Sequence, residues 1–226
     1  MMDVRGDEKV AATITNQGKD VNDGSMTKQM INWLVKNGMR LETNTEVKSV
    51  HQFEDKKWQL WFGGSPGRIV HANKVFVGAG GYALKIIQKS GIPEIDGYGT
   101  FPVSGHFLRT DDPELVASHQ AKVYSQAEVG APPMSVPLLD TRVVDGKTSL
   151  LFGPFAGINP KFLKNGSVLD LPMSIRIKNI SSYLSVALRN LSLVKYLLTE
   201  VTKSKKSKFA SLRAFVPNAA PKDWSY

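Results

Sequence analysis

The sequence contains no cysteine, which excludes disulfide bonds, thiolate nucleophiles, zinc fingers and iron–sulfur clusters. Any redox chemistry would therefore belong to an organic cofactor. No apolar run approaches the roughly 20 residues of a membrane-spanning helix, and the first residues are charged where a signal peptide would be apolar. We expect a cytosolic or peripheral protein, with its 226 residues forming one large domain or two small ones.

Catalytic motifs of the common hydrolases and kinases are also absent. The chain has no G-x-S-x-G elbow, no P-loop, no kinase signature and no H-E-x-x-H. None of its four histidines has the close spacing of a metal site, so we expect no metal. These four are His51, His71, His106 and His119.

Basic residues exceed acidic ones by 29 to 20, and part of the excess lies in residues 201–226. The run Lys203 to Lys208 is typical of a solvated loop, with attraction to anionic lipid or nucleic acid as the alternative. Nucleic-acid binders interleave aromatic residues with their basic ones, and residues 203–208 contain none. Nucleic acid is therefore not an expected partner.

The first half of the chain predicts one helix followed by a β-meander. Apolar residues at helical spacing predict a helix with a buried face from Met26 to Lys36, capped by Ser25 or Asp23 and ended by Asn37-Gly38. Alternating residues and turn signals then predict three strands. These run from Glu46 to Val50, from Trp58 to Phe62 and from Arg68 to Val77, and the charged turn Glu54 to Lys57 separates the first two.

A glycine turn follows the meander. The run Val75–Val77 predicts a strand that enters Gly78-Ala79-Gly80-Gly81 and then a helix from Tyr82 to Lys89. The segment Ile92–Val103 cannot supply the second strand of a Rossmann unit, because it contains two prolines and two glycines. Close approach of a phosphate and simple tight packing both remain open for this turn.

The second half predicts hairpins and helices. Asp145-Gly146 lies between two alternating runs, which indicates a two-residue hairpin. Asn165-Gly166 indicates another turn, and Asp112-Pro113 the start of a helix that runs toward His119. Apolar residues at helical spacing predict one long amphipathic helix from Ile180 to Val201.

Two residues suggest chemistry by type and setting. His106 lies in a predicted strand, which would hold it rigidly for proton transfer, although a histidine without a catalytic role is the commoner case. Arg142, at the entrance to the hairpin, could clamp a carboxylate through two parallel hydrogen bonds. An internal salt bridge from Arg142 to Asp140 or Asp145 is an equal alternative.

Several longer segments are similar to one family. The chain closely resembles malate:quinone oxidoreductase from Gly6 to Trp224, and the match is specific. The segments that carry it are Thr27–Met30, Val75–Gly81, Phe101–Gly105, His119–Tyr124, Val129–Pro137, Leu139–Arg142, Leu150–Gly157 and Lys161–Ser167. The family commonly has histidine at the position of Leu138, and this departure puts full activity, the substrate or the acceptor in question.

The resemblance implies an FAD-dependent enzyme with an α+β fold like that of D-amino-acid oxidase. It implies a mixed or antiparallel sheet with helices in a substrate-binding domain, residues 101–226, which ends with the long amphipathic helix and a basic segment. Residues 1–100 would be part of the FAD-binding region, with the meander and a strand–turn–helix piece. Family chains are longer, so we expect an internal fragment that is inactive alone and does not retain FAD.

The resemblance also implies the roles of particular residues. His106 would be the catalytic base, and Arg142 the carboxylate anchor, with His119, Lys122 and Tyr124 as further substrate contacts. The segments near FAD are Val47 and the turn residues Gly78, Ala79 and Gly80.

The implied reaction is oxidation of (S)-malate to oxaloacetate in the tricarboxylic acid cycle, with membrane quinone as the acceptor. The parent protein would then be cytoplasmic and peripheral to the inner face of the cell membrane. The alternatives are an FAD-dependent dehydrogenase of another 2-hydroxy acid, or a non-catalytic basic module that binds a surface.

Overall fold

The computed structural model describes residues 11–53, 56–126 and 136–226. In these ranges the chain is an α+β protein with two antiparallel sheets, which confirms the coarse fold class. Glu54 and Asp55 of the predicted charged turn, and most of the family segment Val129–Pro137, lie outside the described residues. The elements in chain order are α1 (Asp23–Lys36), β1 (Val47–Gln52), β2 (Trp58–Phe62), β3 (Arg68–Ala72), α2 (Ala83–Ile87), β4 (Val103–Thr110), α3 (Pro113–Ala117), β5 (Lys122–Tyr124), β6 (Leu138–Val144), β7 (Lys147–Ile158), α4 (Asp170–Ser174), α5 (Ile177–Arg189), α6 (Leu191–Thr202) and α7 (Lys205–Phe215).

The chain forms two compact units. The first unit contains the described parts of residues 1–39 together with residues 104–157 and 195–226. The second unit contains the described parts of residues 40–103 together with residues 158–194. The division into an FAD-binding region and a substrate domain at residue 100 stays a prediction about function.

Helix α1 begins three residues earlier than predicted. Its N-cap is Asn22, whose side-chain oxygen accepts a hydrogen bond of 3.1 Å from the backbone N–H of Ser25, so the prediction of Ser25 or Asp23 as the cap is wrong. The predicted end at Asn37 and Gly38 is confirmed, with Gly38 at φ +95°. The predicted burial of its apolar face is also wrong among the described residues, since Trp33 is 63% exposed.

The meander of the second unit is confirmed, with the order β1-β2-β3 and antiparallel pairing throughout. Strand β2 has the predicted bounds, and its Trp58 pairs with Gln52 on one side and Ala72 on the other. The third strand ends at Ala72, so the predicted strand Val75–Val77 is wrong. Within the described ranges residues 73–79 have no neighbouring strand to pair with, and the side chain of Phe76 is 96% exposed.

The segment after residue 79 is helical, but the helix is shorter than predicted. Residues Gly80–Tyr82 form a 3-10 turn that leads into α2, and α2 ends at Ile87 rather than at Lys89. Helix α2 packs against β1 in the same unit.

The first unit is organised around a four-stranded sheet with the order β4-β7-β6-β5. The predicted hairpin joins β6 to β7: Asp145 and Gly146 have φ +50° and +78°, and Val144 pairs with Lys147. Positive φ at both turn residues matches the right-handed twist of the two strands, which is why Asp-Gly favours this connection.

One face of this sheet carries the main hydrophobic core. Helix α7 contributes Leu212, which is fully buried beside sheet residues that are themselves almost inaccessible to water. Burying a large aliphatic or aromatic side chain stabilises the fold by about 1.5–3 kcal/mol, so this face holds α7 on the sheet. The core comprises Leu108, Leu139, Leu150, Phe152, Phe155, Leu212, Val216, Ala219 and Trp224.

The C-terminal helices differ from the prediction. The expected helix from Ile180 to Val201 is two helices, because Asn190 leaves helical geometry at φ −128° and ψ 45° and its side chain donates to the carbonyl of Val186. The expected solvated loop from Lys203 to Lys208 is wrong too. Ser204 caps α7 by accepting a hydrogen bond from the N–H of Ser207, and Lys208 is buried.

The other predicted turns are confirmed. Asp112 caps α3 with its carboxylate, which accepts hydrogen bonds from the N–H groups of Glu114 and Leu115. The backbone N–H of Gly166 donates to the carbonyl of Leu163, which closes the turn that contains Asn165.

Candidate active site

His106 lies on β4, as predicted, and on the core side of the sheet. Side chains alternate along a strand, so His106 shares the face of buried Leu108. Its Nε2 is 3.3 Å from the hydroxyl oxygen of Ser104. A Cβ at Gly157 of the neighbouring strand would lie 2.9 Å from the same nitrogen, so glycine there leaves room for the imidazole.

Tyr226 covers one face of the His106 ring. The two ring centroids are 5.7 Å apart and the ring planes differ by 16°, which is a stacked pair. Ser225 forms an antiparallel bridge to Arg109, and this pairing places Tyr226 beside β4. The phenol oxygen accepts a hydrogen bond from Nζ of Lys208 on α7.

Arg142 lies on β6 and is already paired. Its Nη1 is 3.0 Å from Oδ1 of Asp20, and its Nη2 donates to the carbonyl of Val21 at 3.3 Å. The internal salt bridge considered as an alternative therefore exists, but to Asp20 rather than to Asp140 or Asp145. Asp145 instead accepts a hydrogen bond from the side chain of Asn22.

Lys122 and Tyr124 lie on the short edge strand β5. Lys122 forms a salt bridge of 3.0 Å to Asp140, its register partner on β6, and its Nζ lies 5.7 Å from the ring centroid of Tyr124. Burial alone would lower the pKa of Lys122, but the hydrogen bond and charge of Asp140 outweigh it and raise the pKa. Lys122 is therefore a positively charged group that already has an anionic partner.

His119 follows α3 and is buried. Desolvation lowers its pKa, against the opposing influence of the Ala121 and Leu139 backbone and of Asp140. Its Nε2 has no hydrogen-bond partner among the described residues, while its carbonyl accepts a hydrogen bond of 2.7 Å from the Thr141 hydroxyl. His119 is therefore a buried, neutral imidazole, and one of its nitrogens makes no hydrogen bond among the described residues.

The predicted catalytic base and the predicted substrate contacts on β5 and β6 lie on opposite faces of the sheet. Lys122 and Asp140 are register partners, so they share a face, and Arg142 two residues further on shares it too. Leu139 between them points to the core, which is the face of His106. Strands β4 and β5 are opposite edges of this sheet, about 14 Å apart at the usual strand spacing. The structure therefore does not bring His106 together with Arg142, Lys122 and Tyr124.

The glycine turn in the second unit shows close packing at one position and openness at another. A Cβ on Gly81 would overlap the backbone carbonyl of Phe162. Gly80 has φ +54°, and a Cβ on Gly78 would meet only the ring of Phe76, at 3.6 Å. Tight packing thus explains Gly81, whereas Gly78 stays open to the approach of a ligand.

The loop that packs on this turn is fixed by a buried ion pair. Asp170 is fully buried and accepts hydrogen bonds from Nζ of Lys85 at 2.7 Å and from the N–H groups of Phe162 and Ser167. Burial alone would raise the pKa of Asp170, but the hydrogen bonds and the charge of Lys85 lower it. The carboxylate is therefore ionised and holds the Phe162 loop against α2.

The turn has the features of one part of a cofactor-binding surface. Val47 is the first residue of β1, the strand against which α2 packs, so Val47 and the turn belong to the same unit. The open Gly78, the positive φ of Gly80 and the exposed Phe76 fit the approach of a flat aromatic cofactor. Contact of Gly78, Ala79, Gly80 and Val47 with such a cofactor stays a prediction.

Sequence reasoning missed Lys208 and Tyr226, which the structure places beside His106. The run of lysines and serines concealed a helical pattern, in which Lys208 precedes the buried Leu212 by four residues. That spacing is the signal that could have placed Lys208 on the buried face of α7.

The comparisons with known proteins all give the same family. A family model described as malate:quinone oxidoreductase matches residues 1–226. A protein of Flavobacterium johnsoniae named probable malate:quinone oxidoreductase is 50% identical over 222 residues. Those of Leifsonia xyli and Pseudomonas aeruginosa, also named probable malate:quinone oxidoreductase (the latter with the suffix 2), are each 51% identical, over 220 and 224 residues. These alignments cover 96% of this chain and 44–45% of the relatives.

These relatives are oxidoreductases by name, and their similarity extends over both units of the chain. The chain belongs to the malate:quinone oxidoreductase family. It spans a little under half the length of the curated relatives it matches. The resemblance read from the sequence is thereby confirmed.

Two further features of the described residues bear on the expected site. They contain no group of acidic or histidine side chains that could hold a metal ion, and no helix long and apolar enough to cross a membrane. Leu138 begins β6 and pairs with Tyr124 and Gly153.

Proposed function

We propose that the protein containing this chain oxidises (S)-malate to oxaloacetate, with FAD as its cofactor and a quinone as the electron acceptor. The observation that carries the proposal is the family match over the whole chain, at about 50% identity to proteins with this name. The expected fold, like that of D-amino-acid oxidase, belongs to the same proposal. So do the location at the inner face of the cell membrane and the role in the tricarboxylic acid cycle.

FAD, when bound, supplies the acceptor for the hydride that leaves the hydroxyl-bearing carbon of malate. The chain's own contribution is to hold the substrate and to remove the hydroxyl proton. His106 suits this second task, because β4 fixes its backbone and the stack on Tyr226 fixes its ring. In the tautomer in which Nε2–H donates to Ser104, the free lone pair lies on Nδ1, which would accept the proton.

The substrate roles predicted for the other assigned residues are secondary to that of His106 in this proposal. Arg142, Lys122 and Tyr124 remain candidate substrate contacts on the face of the sheet opposite His106, and His119 remains a candidate beside β6. Arg142 and Lys122 each have a carboxylate partner within the protein, so a substrate carboxylate would have to compete with Asp20 or Asp140. This competition favours the His106 face as the place where the reaction occurs.

The test is to purify the full-length protein that contains this chain and to mix it with (S)-malate without oxygen. Bleaching of the flavin absorbance, followed by recovery when a soluble quinone is added, is the expected result. Lactate and 2-hydroxyglutarate serve as competing substrates, since Leu138 departs from the family. Faster bleaching by either of these would replace malate with another 2-hydroxy acid, and no bleaching by any would overturn the proposal.

The 226-residue chain prepared alone is the matched sample. Because Gly78–Gly80 and Val47 are a small part of a cofactor-binding surface, we expect this sample to be colourless and inactive. Stoichiometric flavin in it would show that these few residues suffice for binding.

A further inference from the structure

Lys208 is a buried ammonium group that has no carboxylate partner among the described residues. Its side chain projects from α7, and only 7% of the residue is exposed. Around its Nζ lie the Tyr226 hydroxyl, which accepts a hydrogen bond, the Tyr226 ring centroid at 4.5 Å and the Phe155 ring centroid at 5.6 Å. Two aromatic rings and one hydroxyl replace the water shell of this cation.

Three other lysines of the described residues differ from Lys208 in this respect. Lys85, Lys122 and Lys203 are each within 3.0 Å of a carboxylate oxygen, from Asp170, Asp140 and Glu200 respectively. A buried charge without an opposite charge is unfavourable, so its presence calls for a compensating group. An anionic ligand would supply one.

The unused hydrogen-bond donors of the cluster formed by Lys208, Tyr226 and His106 also favour an anionic ligand. An ammonium group has three N–H donors, and Tyr226 uses one of those of Lys208. Since the phenol oxygen is the acceptor in that bond, its own O–H remains available as a donor. Tyr226 is 48% exposed and His106 is exposed, so a small molecule can reach the cluster from solvent.

We propose that Lys208 and Tyr226 form the subsite that binds a carboxylate of the substrate next to His106. This inference rests on the proposed function, because it is the presence of His106 that makes the neighbouring anion site a substrate site. One carboxylate oxygen would accept from Nζ of Lys208 and the other from the hydroxyl of Tyr226. The hydroxyl-bearing carbon would then lie toward the imidazole, which the stack on Tyr226 keeps in place.

The experiment measures malate affinity by calorimetry in the full-length protein, with malamide, in which neutral amides replace both carboxylates, as the uncharged probe. The substitution Lys208→Met removes the charge and keeps the length of the side chain. Lys206→Met, at an exposed position of the same helix, is the matched control. We expect Lys208→Met to raise the Kd for malate by about tenfold to hundredfold, with malamide binding unchanged and Lys206→Met like the wild type.

Thermal unfolding of the same variants separates binding from folding. A buried cation that serves a ligand does not stabilise the ligand-free protein, so we expect the Tm of Lys208→Met to be equal to or above that of the wild type. A lower Tm with an unchanged Kd would show that Lys208 is structural and would overturn the subsite. If Lys208→Met does not fold, Tyr226→Phe decides the matter: about threefold to tenfold weaker malate binding supports the subsite, and wild-type affinity overturns it.

The outcomes also distinguish this subsite from the proposed function. If malate bleaches the flavin of the wild type and Lys208→Met binds malate normally, the function stands and the subsite falls. If malate binds in a Lys208-dependent way but never bleaches the flavin, the subsite stands and the assigned reaction falls.

Discussion

The guanidinium of Arg142 and the carboxylate of Asp20 form an ion pair across 122 positions of sequence, with Nη1 and Oδ1 3.0 Å apart. The second oxygen of Asp20 accepts a hydrogen bond of 2.7 Å from the backbone N–H of Val143. This carboxylate thus connects the segment before α1 to strand β6. It also pairs with the guanidinium of Arg142, which was predicted to bind a carboxylate of malate.

The substitution Asp20→Ala tests the structural role of this pair. Losing one hydrogen bond and one ion pair of a partly exposed carboxylate should lower the free energy of unfolding by about 1 kcal/mol, or the Tm by roughly 2–4 °C. Asp23→Ala, in the first turn of α1, is the control for removing a nearby negative charge. An unchanged Tm in Asp20→Ala would mean that the pair does not hold the segment in solution.

Arg142→Lys tests the substrate role of the same group in the full-length protein. The sequence-based prediction is a loss of about tenfold to hundredfold in kcat/KM, because lysine keeps the charge but not the bidentate geometry. The pairing with Asp20 instead predicts nearly unchanged kcat/KM and a lower Tm, and we expect this second result. Stopped-flow reduction of the flavin by malate distinguishes the two.

His106→Gln should lower kcat for malate oxidation by about 10²- to 10⁴-fold, because a proton acceptor is replaced by an amide of similar size. KM should change little, since glutamine can still occupy the space beside Tyr226 and Gly157. His71→Gln, on the exposed face of the meander, is the control. Wild-type flavin reduction in His106→Gln would transfer the search for the base to His119.

Gly81 and Gly78 are expected to serve different purposes: Gly81 allows close packing, and Gly78 leaves room for a ligand. Gly81→Ala should destabilise the chain by about 2 kcal/mol, because the new Cβ would overlap the carbonyl of Phe162. Gly78→Ala should leave the Tm unchanged or slightly higher, because nothing but the Phe76 ring is near. In the full-length protein Gly78→Ala should weaken FAD binding if the backbone approaches the cofactor there. Equal Tm losses in both variants would contradict this distinction.

Sequence patterns correctly predicted the elements whose structure depends on residues that are near neighbours along the chain. The Asp145-Gly146 hairpin and the strand Trp58–Phe62 were predicted correctly, because turn geometry and alternation act between near neighbours. The strand Val75–Val77 was not, because strand formation depends on a neighbouring strand that periodicity cannot reveal.

The candidate site was only partly accessible to sequence reasoning. His106 was found from its residue type and strand setting, but Lys208 and Tyr226 reach it through the packing of α7 and the bridge between Ser225 and Arg109. Contacts over such separations are set by the tertiary fold. The same holds for Asp20, whose pairing with Arg142 no local pattern announces.

Stability should depend on pH through His119. Burial lowers its pKa in the folded state below the ordinary value of 6.5, so the unfolded chain binds a proton more readily. The contribution of neutral His119 is fully present above pH 6.5 and is lost as the pH falls through the lower, folded-state pKa. Urea unfolding from pH 8 to pH 5 should therefore show decreasing stability, and His119→Gln should reduce the slope. Asp111 and Asp170 have pKa values below their usual 3.8 and affect stability only in more acidic solution. An identical pH slope in His119→Gln would contradict the assignment.

The basic run from Lys203 to Lys208 predicts binding to an anionic membrane surface, and two of its lysines are exposed and unpaired with a carboxylate among the described residues. Lys203 is paired with Glu200 at 2.7 Å and Lys208 is buried, which leaves Lys205 and Lys206 as the exposed positive charges of the run. Each basic residue near an anionic bilayer contributes about 1 kcal/mol, so Lys205→Ser with Lys206→Ser should weaken binding to phosphatidylserine vesicles about thirtyfold at low salt. The effect should shrink as added salt shortens the Debye length to about 8 Å near physiological ionic strength.

The control changes Lys28 and Lys36 of α1 to serine, which removes the same charge from another exposed helix. Vesicle sedimentation in which both double variants lose binding equally would mean that net charge attracts the protein to the bilayer, and that α7 has no particular part in it.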